Sequence, residues 1–137
     1  MDDNHDAAES LAMILRLVGF DVTVCYDAST ALRMATRTPF DVCVSDINMP
    51  GVSGYELARQ LRGVAAGRPL YLVAVTARTS EEDRVKSYEA GFDLHVAKPA
   101  DPLDLIAAVR TNGERVAAHR RGAGPAPSLP RATFQFV

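Results

Sequence analysis

Apolar positions along this chain switch repeatedly between helical spacing and the alternation or unbroken runs of strands. From Ser10 to Val18, the residues Leu11, Ile14, Leu15 and Val18 fall at i, i+3, i+4 and i+7, which predicts an amphipathic helix closed by Gly19. Asp21 to Tyr26 alternates and is β-branched, as a strand should be. Helical spacing returns with Ala28, Ala31, Leu32 and Ala35, and Val42 to Ser45 is a short apolar strand ending at Asp46. The loop Asn48-Met49-Pro50-Gly51 is turn chemistry, with proline fixing φ and glycine permitting positive φ. Ser53 can cap a helix carrying Leu57, Ala58 and Leu61, and the nearly continuous run Leu70 to Val75 suits a strand covered on both faces. Ser80 followed by Glu81, Glu82 and Asp83 starts another helix, because the acids suit the positive end of its dipole, and Gly91 stops it. Leu94 to Ala97 is a last short strand and Pro102 to Arg110 a last helix, ended by Asn112-Gly113 unless Glu114 to Arg121 adds another turn or two.

Helices and strands alternating in short units imply parallel strands joined by helical crossovers. Right-handed crossovers then put helices on both faces of an open sheet, a three-layer α/β fold. Residues 1–112 would form this one domain. Residues 113–137, rich in arginine, proline, glycine and alanine, read as a disordered tail.

Composition narrows the classes. A chain of 137 residues, 47% hydrophobic and 23% charged, is long enough for one globular domain with a real core. Its net charge of -2 argues against direct nucleic-acid binding. The charge is uneven: from Arg110 onward there are five arginines and one glutamate, so the body is the more acidic part. No apolar run approaches a membrane span, the acidic start has no signal-peptide pattern, and Cys25 and Cys43 sit in apolar runs that suit a reducing compartment. These features predict a cytoplasmic location.

In open α/β sheets ligands bind outside the carboxyl ends of the strands. The polar residues near such places are Asp2 and Asp3 at the start, Asp46 after VCVS, Thr76 after LYLVAV, and Lys98 after LHVA. Each alone has a bland reading: an acidic terminus, a turn aspartate, a strand threonine, a surface lysine. Together they suit phosphoryl acceptance. Crowded carboxylates are best kept ionised by a hard divalent cation such as Mg²⁺, which also neutralises charge on an incoming phosphoryl group. Asp46 is the acceptor candidate, Lys98 the positive charge and Thr76 the hydroxyl donor. His5, His95 and His119 show no metal-ligand spacing.

Asp2-Asp3, Asp46-Ile47-Asn48-Met49-Pro50-Gly51, Thr76-Ala77 and Lys98-Pro99, in that order, resemble the signature of bacterial two-component response-regulator receiver domains. The resemblance covers about residues 1 to 112 and implies the flavodoxin-like strand order 2-1-3-4-5. It implies that Asp46 takes a phosphoryl group from a histidine kinase or histidine phosphotransfer protein. Asp3, Asp46 and the Asn48 backbone carbonyl would hold Mg²⁺, with Asp2 assisting. It further implies a switch of Thr76 with the residue three before Lys98, signalling through the face of the fourth helix, the strand at 94–97 and the last helix. A downstream protein target would use that face, and a phosphorylation-dependent homodimer is a further implied partner. Such a domain is a signalling switch rather than an enzyme, catalysing only its own phosphorylation and dephosphorylation.

Two departures stand out. The switch position, usually aromatic, is His95, whose imidazole would make signalling pH-sensitive. Receiver domains also open with an apolar strand before the acidic pair, whereas Met1-Asp2-Asp3 leaves the first, central strand largely missing. Three accounts remain: a true start further upstream, a truncated unstable product, or docking of the apolar segment Thr133 to Val137 into the gap or onto an edge. The last requires threading a chain end into a central slot. If the lost strand ruins the site, a phosphorylation-incompetent interaction module is the alternative. A Mg²⁺-dependent aspartyl-phosphate hydrolase is a further one, although it would normally carry an Asp-x-Asp pair and Asp46 is followed by Ile47-Asn48.

Overall fold

The computed structural model describes residues 3–25, 27–37, 40–47, 53–67, 69–77, 80–98, 101–120 and 131–135, with side chains described only between 9 and 112. Its elements in chain order are α1 (Asp3–Leu17), β1 (Asp21–Cys25), α2 (Ala28–Arg37), β2 (Val42–Asp46), α3 (Gly54–Ala65), β3 (Tyr71–Thr76), α4 (Glu81–Ala90), β4 (Leu94–Ala97), α5 (Pro102–Arg120) and β5 (Arg131–Gln135). The expected strands and the Ser53 and Ser80 caps are present: Ser53 accepts from the Glu56 amide and Ser80 from the Asp83 amide. Gly91 ends α4 with φ of 117°, a conformation that glycine adopts without a Cβ penalty.

All five strands are parallel and lie in the order β1-β5-β2-β3-β4. Alternation along the strands builds two cores. Val42, Val44, Val73 and Val75 face Leu11, Leu15, Leu105, Ile106 and Val109 of α1 and α5. Cys43, Leu72 and Ala74 face Ala31, Leu57, Ala58 and Leu61 of α2 and α3. Both faces of β2 and β3 are thus covered, which is why their sequences read as unbroken apolar runs.

The fold is the expected flavodoxin-like one, with one correction to how it is completed. The central place, where the first strand is missing, is taken by β5. Asp21 to Cys25 pair with Arg131 to Gln135 on one side, and Val42 to Ser45 pair with Ala132 to Gln135 on the other. An unfilled gap would leave the backbone groups of β1 and β2 unpaired, and segment 131–135 supplies those partners. The disordered-tail expectation for 113–137 therefore gives way at two places, the strand at 131–135 and the helix before it. Asn112-Gly113 does not end α5, which continues to Arg120. A glycine inside a helix costs only about 1 kcal/mol, and Asn112 here bonds back to the Ala108 carbonyl at 2.8 Å instead of turning the chain.

Helix α2 is held at its start by Asp27, whose carboxylate accepts from the Thr30 amide at 2.8 Å and from the Ser29 and Thr30 hydroxyls. The backbone and hydroxyl bonds favour the ionised form and hold its carboxyl below the ordinary value. A lowered folded value means the contribution is complete above the unfolded value and lost as pH falls through the folded one. Asp27→Ala should therefore destabilise the protein to urea at neutral pH, and the gap to wild type should shrink below about pH 4. A gap unchanged between about pH 7 and pH 2.5 would show that the ionised cap is not its source.

Candidate functional site

All five residues of β2 are buried, so its terminal carboxylate emerges from covered chain. Asp46 is 5% exposed and stands opposite Val75, and the next residue of β3 is Thr76, fully buried and opposite Ala97. One residue beyond β4, Lys98 places its Nζ 2.5 Å from Asp46 Oδ2, while its backbone N–H donates to the Thr76 carbonyl at 2.9 Å. Adjacent parallel strands ending in register thus bring Asp46, Thr76 and Lys98 together at one edge. A buried carboxylate is tolerable because an ammonium meets it. Removing the lysine would leave a desolvated anion without its cationic partner.

The loop after β2 is tied back by the Gly54 amide, which donates to the Ile47 carbonyl at 2.8 Å. A Cβ at Gly54 would lie 2.6 Å from both the Asp46 carbonyl oxygen and the Ile47 Cα, so the start of α3 lies directly against the backbone of the acceptor candidate. The sequence reading missed Gly54. Its available signal was a poor helix former at the first position of α3, directly after the cap.

The acidic start returns to the same edge. Helix α1 is joined to β1 by the short turn Val18 to Phe20 and packs against the sheet beside it, so it runs antiparallel to the strands and brings Asp3 toward their carboxyl ends. Asp2 and Asn48 lie outside the described residues, as does the side chain of Asp3. Among the described residues no group of three or more His, Cys, Asp or Glu is gathered as a metal site. The chemistry of the described donor nonetheless suits a hard cation: Asp46 offers a carboxylate at the edge toward which α1 begins.

His95 is buried, 5% exposed, with Nδ1 2.8 Å from the hydroxyl of Ser87, itself fully buried on α4. The imidazole of His95 is therefore fastened inside, against α4. Ser87 gave no sequence signal, being one small polar residue in a polar helix.

A family model described as response regulator receiver domain matches residues 1–110. The chain belongs to that family. It is 38% identical over 123 residues to the sensory transduction protein RegX3 of Mycolicibacterium smegmatis, covering 90% of this chain and 50% of that protein. The chain spans about half the length of the first curated relatives it matches. Among solved structures it resembles a Burkholderia pseudomallei response regulator with a phosphorylated aspartic acid and a calcium ion, with TM-score 0.70, 27% identity, and 93% and 74% of the two chains covered. It also resembles the receiver domain of the sensor histidine kinase PA1611 of Pseudomonas aeruginosa, which has magnesium coordinated in its active-site cleft, with TM-score 0.68, 28% identity, and 80% and 87% covered. As a response regulator receiver domain, the chain is a module of phosphorylation-based signalling, and no described helix is long and apolar enough to cross a membrane.

Proposed function

We propose that this protein is switched by a phosphoryl group accepted on Asp46 from a phosphohistidine of a kinase or phosphotransfer protein. The observation that carries this is the Asp46–Lys98 contact at the covered end of β2, with Thr76 ending the neighbouring strand. An Asp46 oxygen attacks phosphorus, the P–N bond breaks, and the departing imidazole nitrogen keeps the electron pair and takes a proton. The transition state is loose and needs positioning and charge neutralisation more than covalent help. Lys98 is placed to follow the charge from carboxylate to phosphoryl oxygen, and the Thr76 hydroxyl to donate to it. Mg²⁺ held by Asp46, Asp3 and the Asn48 carbonyl, with Asp2 assisting, would neutralise the remaining phosphoryl charge.

Thr76 and His95 form the switch pair on this reading, biasing the face of α4, β4 and α5. Val85 and Tyr88 of α4 and Leu103 of α5 are exposed apolar side chains there and suit a protein target. The test is acetyl phosphate with Mg²⁺, followed by intact mass. Wild type should gain one phosphoryl adduct and Asp46→Ala none, without sustained turnover of a phosphomonoester, and the His95 ring resonances should shift with the adduct. An equal adduct on Asp46→Ala removes the acceptor assignment, and unmoved His95 resonances remove the switch.

A further inference from the structure

Helix α4 has little apolar hold on the body. Its sequence is polar at most positions, and of its ten residues only Ser87 and Ala90 are buried. Ala90 is its contribution to the core, while Val85 and Tyr88 are exposed. The carboxyl end is well tied, because the Gly91 carbonyl accepts from Arg62 and the amides of Gly91 and Phe92 close on the Tyr88 and Ser87 carbonyls. Near the start, the Tyr55 hydroxyl reaches the Asp83 carbonyl only at 3.5 Å, longer than an ordinary hydroxyl bond. Between these two ends stands the 2.8 Å contact of Ser87 with His95, which joins the middle of the helix to β4.

We propose that Ser87 is a positioning residue whose hydroxyl latches the buried His95 ring, and that this latch docks α4, so that departure of the ring releases the helix. A serine hydroxyl both donates and accepts, so it satisfies Nδ1 in either neutral tautomer of the imidazole. The two residues make sense only as a pair. A hydrocarbon ring at position 95 would strip the fully buried hydroxyl of this partner, and an alanine at position 87 would do the same to the ring nitrogen. A helix with so few buried apolar groups belongs to the weakly held end of a structure, where one polar contact decides how often it opens.

The link from the latch to Asp46 rests on the function proposed above. His95 is opposite Ala74 and Thr76 is opposite Ala97, so alternation along the two strands puts ring and hydroxyl on one face. Their opposite numbers are both alanine, and Thr76 and His95 carry the bulk of that patch. A Thr76 hydroxyl drawn toward a phosphoryl group on Asp46 frees volume beside the ring. The ring can then turn away from Ser87, and α4 loosens about its capped end, carrying Val85 and Tyr88 with it.

The experiment follows amide hydrogen exchange in the full chain, with α3 as the internal reference. Without phosphorylation, Ser87→Ala should speed exchange in α4 by about tenfold, leave α3 unchanged and shift the His95 Nδ1 resonance. Ser87→Cys fills nearly the same space but offers only a weak donor, so it should loosen α4 almost as much. In a His95→Phe background, Ser87→Ala should leave α4 exchange unchanged or slow it, because it then removes a buried hydroxyl that has lost its partner. After acetyl phosphate and Mg²⁺, wild-type α4 should loosen by about the same factor as the alanine variant, and that variant should gain less than about twofold more. Unchanged α4 exchange in Ser87→Ala, a cysteine variant that behaves as wild type, or equal acceleration in both backgrounds would each overturn the latch. A wild-type chain that takes the adduct without loosening α4 would overturn the link to phosphorylation alone. A chain that forms no adduct counts instead against Asp46 as acceptor, and the unphosphorylated comparisons still decide the latch.

Discussion

Replacing Gly54 with alanine should slow phosphoryl uptake at Asp46 by about ten- to a hundredfold and destabilise the fold by about 2 kcal/mol. The added methyl would sit 2.6 Å from the Asp46 carbonyl oxygen and from the Ile47 Cα. Both are backbone atoms within a buried segment, so no flexible side chain can swing aside. Either the start of α3 moves away, breaking the Gly54–Ile47 bond, or the end of β2 shifts and carries the carboxylate off its alignment with Lys98. The same helix supplies the control. Gly63 is exposed and a Cβ there meets nothing within 4 Å, so Gly63→Ala should stabilise by about 0.5–1 kcal/mol without changing uptake. Adduct formation followed by intact mass, beside urea unfolding, reads both. A Gly54→Ala protein as stable and as fast as wild type would mean the close approach does not position Asp46.

The second large effect is expected at Arg62, remote from the site. Its guanidinium reaches from α3 to the Leu70 carbonyl at 2.6 Å, to the Gly91 carbonyl through Nε at 3.0 Å and through a terminal nitrogen at 2.6 Å, and to the Asp93 carboxylate at 2.6 Å. Asp93 in turn accepts from the Leu72 amide at 2.8 Å. One side chain thereby joins α3 to the entry of β3 and to the turn between α4 and β4. The ion pair itself is partly exposed, about a third on each side, and contributes little once solvent screens it. The weight lies with the carbonyls, which a planar fork can reach together and an ammonium cannot. Arg62→Ala should cost about 2–3 kcal/mol in urea unfolding, and Arg62→Lys most of the same amount. A lysine variant within about 0.5 kcal/mol of wild type would show that charge, not the fork, is what matters.

Strands β2, β3 and β4 and the caps at Ser53 and Ser80 could be read from sequence because local patterning and burial agree there. The meeting of Asp46, Thr76 and Lys98 was legible for a related reason: in a parallel sheet every strand exits at the same edge, so the polar residue after each apolar run arrives with the others. The occupant of the centre of the sheet was legible only as one of three accounts. Segment 131–135 is short and follows a stretch with the composition of a tail, and its place is set by two distant edges that need partners rather than by its own pattern. Asn112-Gly113 misled for the opposite reason, since a local stop signal was overridden by a helix that continues to Arg120. Gly54, Arg62 and Ser87 act through close approaches between elements far apart in sequence, which no periodicity encodes.

The position of β5 also sets the order in which this molecule can be assembled. During synthesis β1 and β2 leave the ribosome about a hundred residues before the segment that joins them. Both ladders to β5 join segments about a hundred residues apart, and contacts so distant in sequence close slowly. The interval before closure is the stage at which this protein is most exposed to mispairing with its neighbours on the same message.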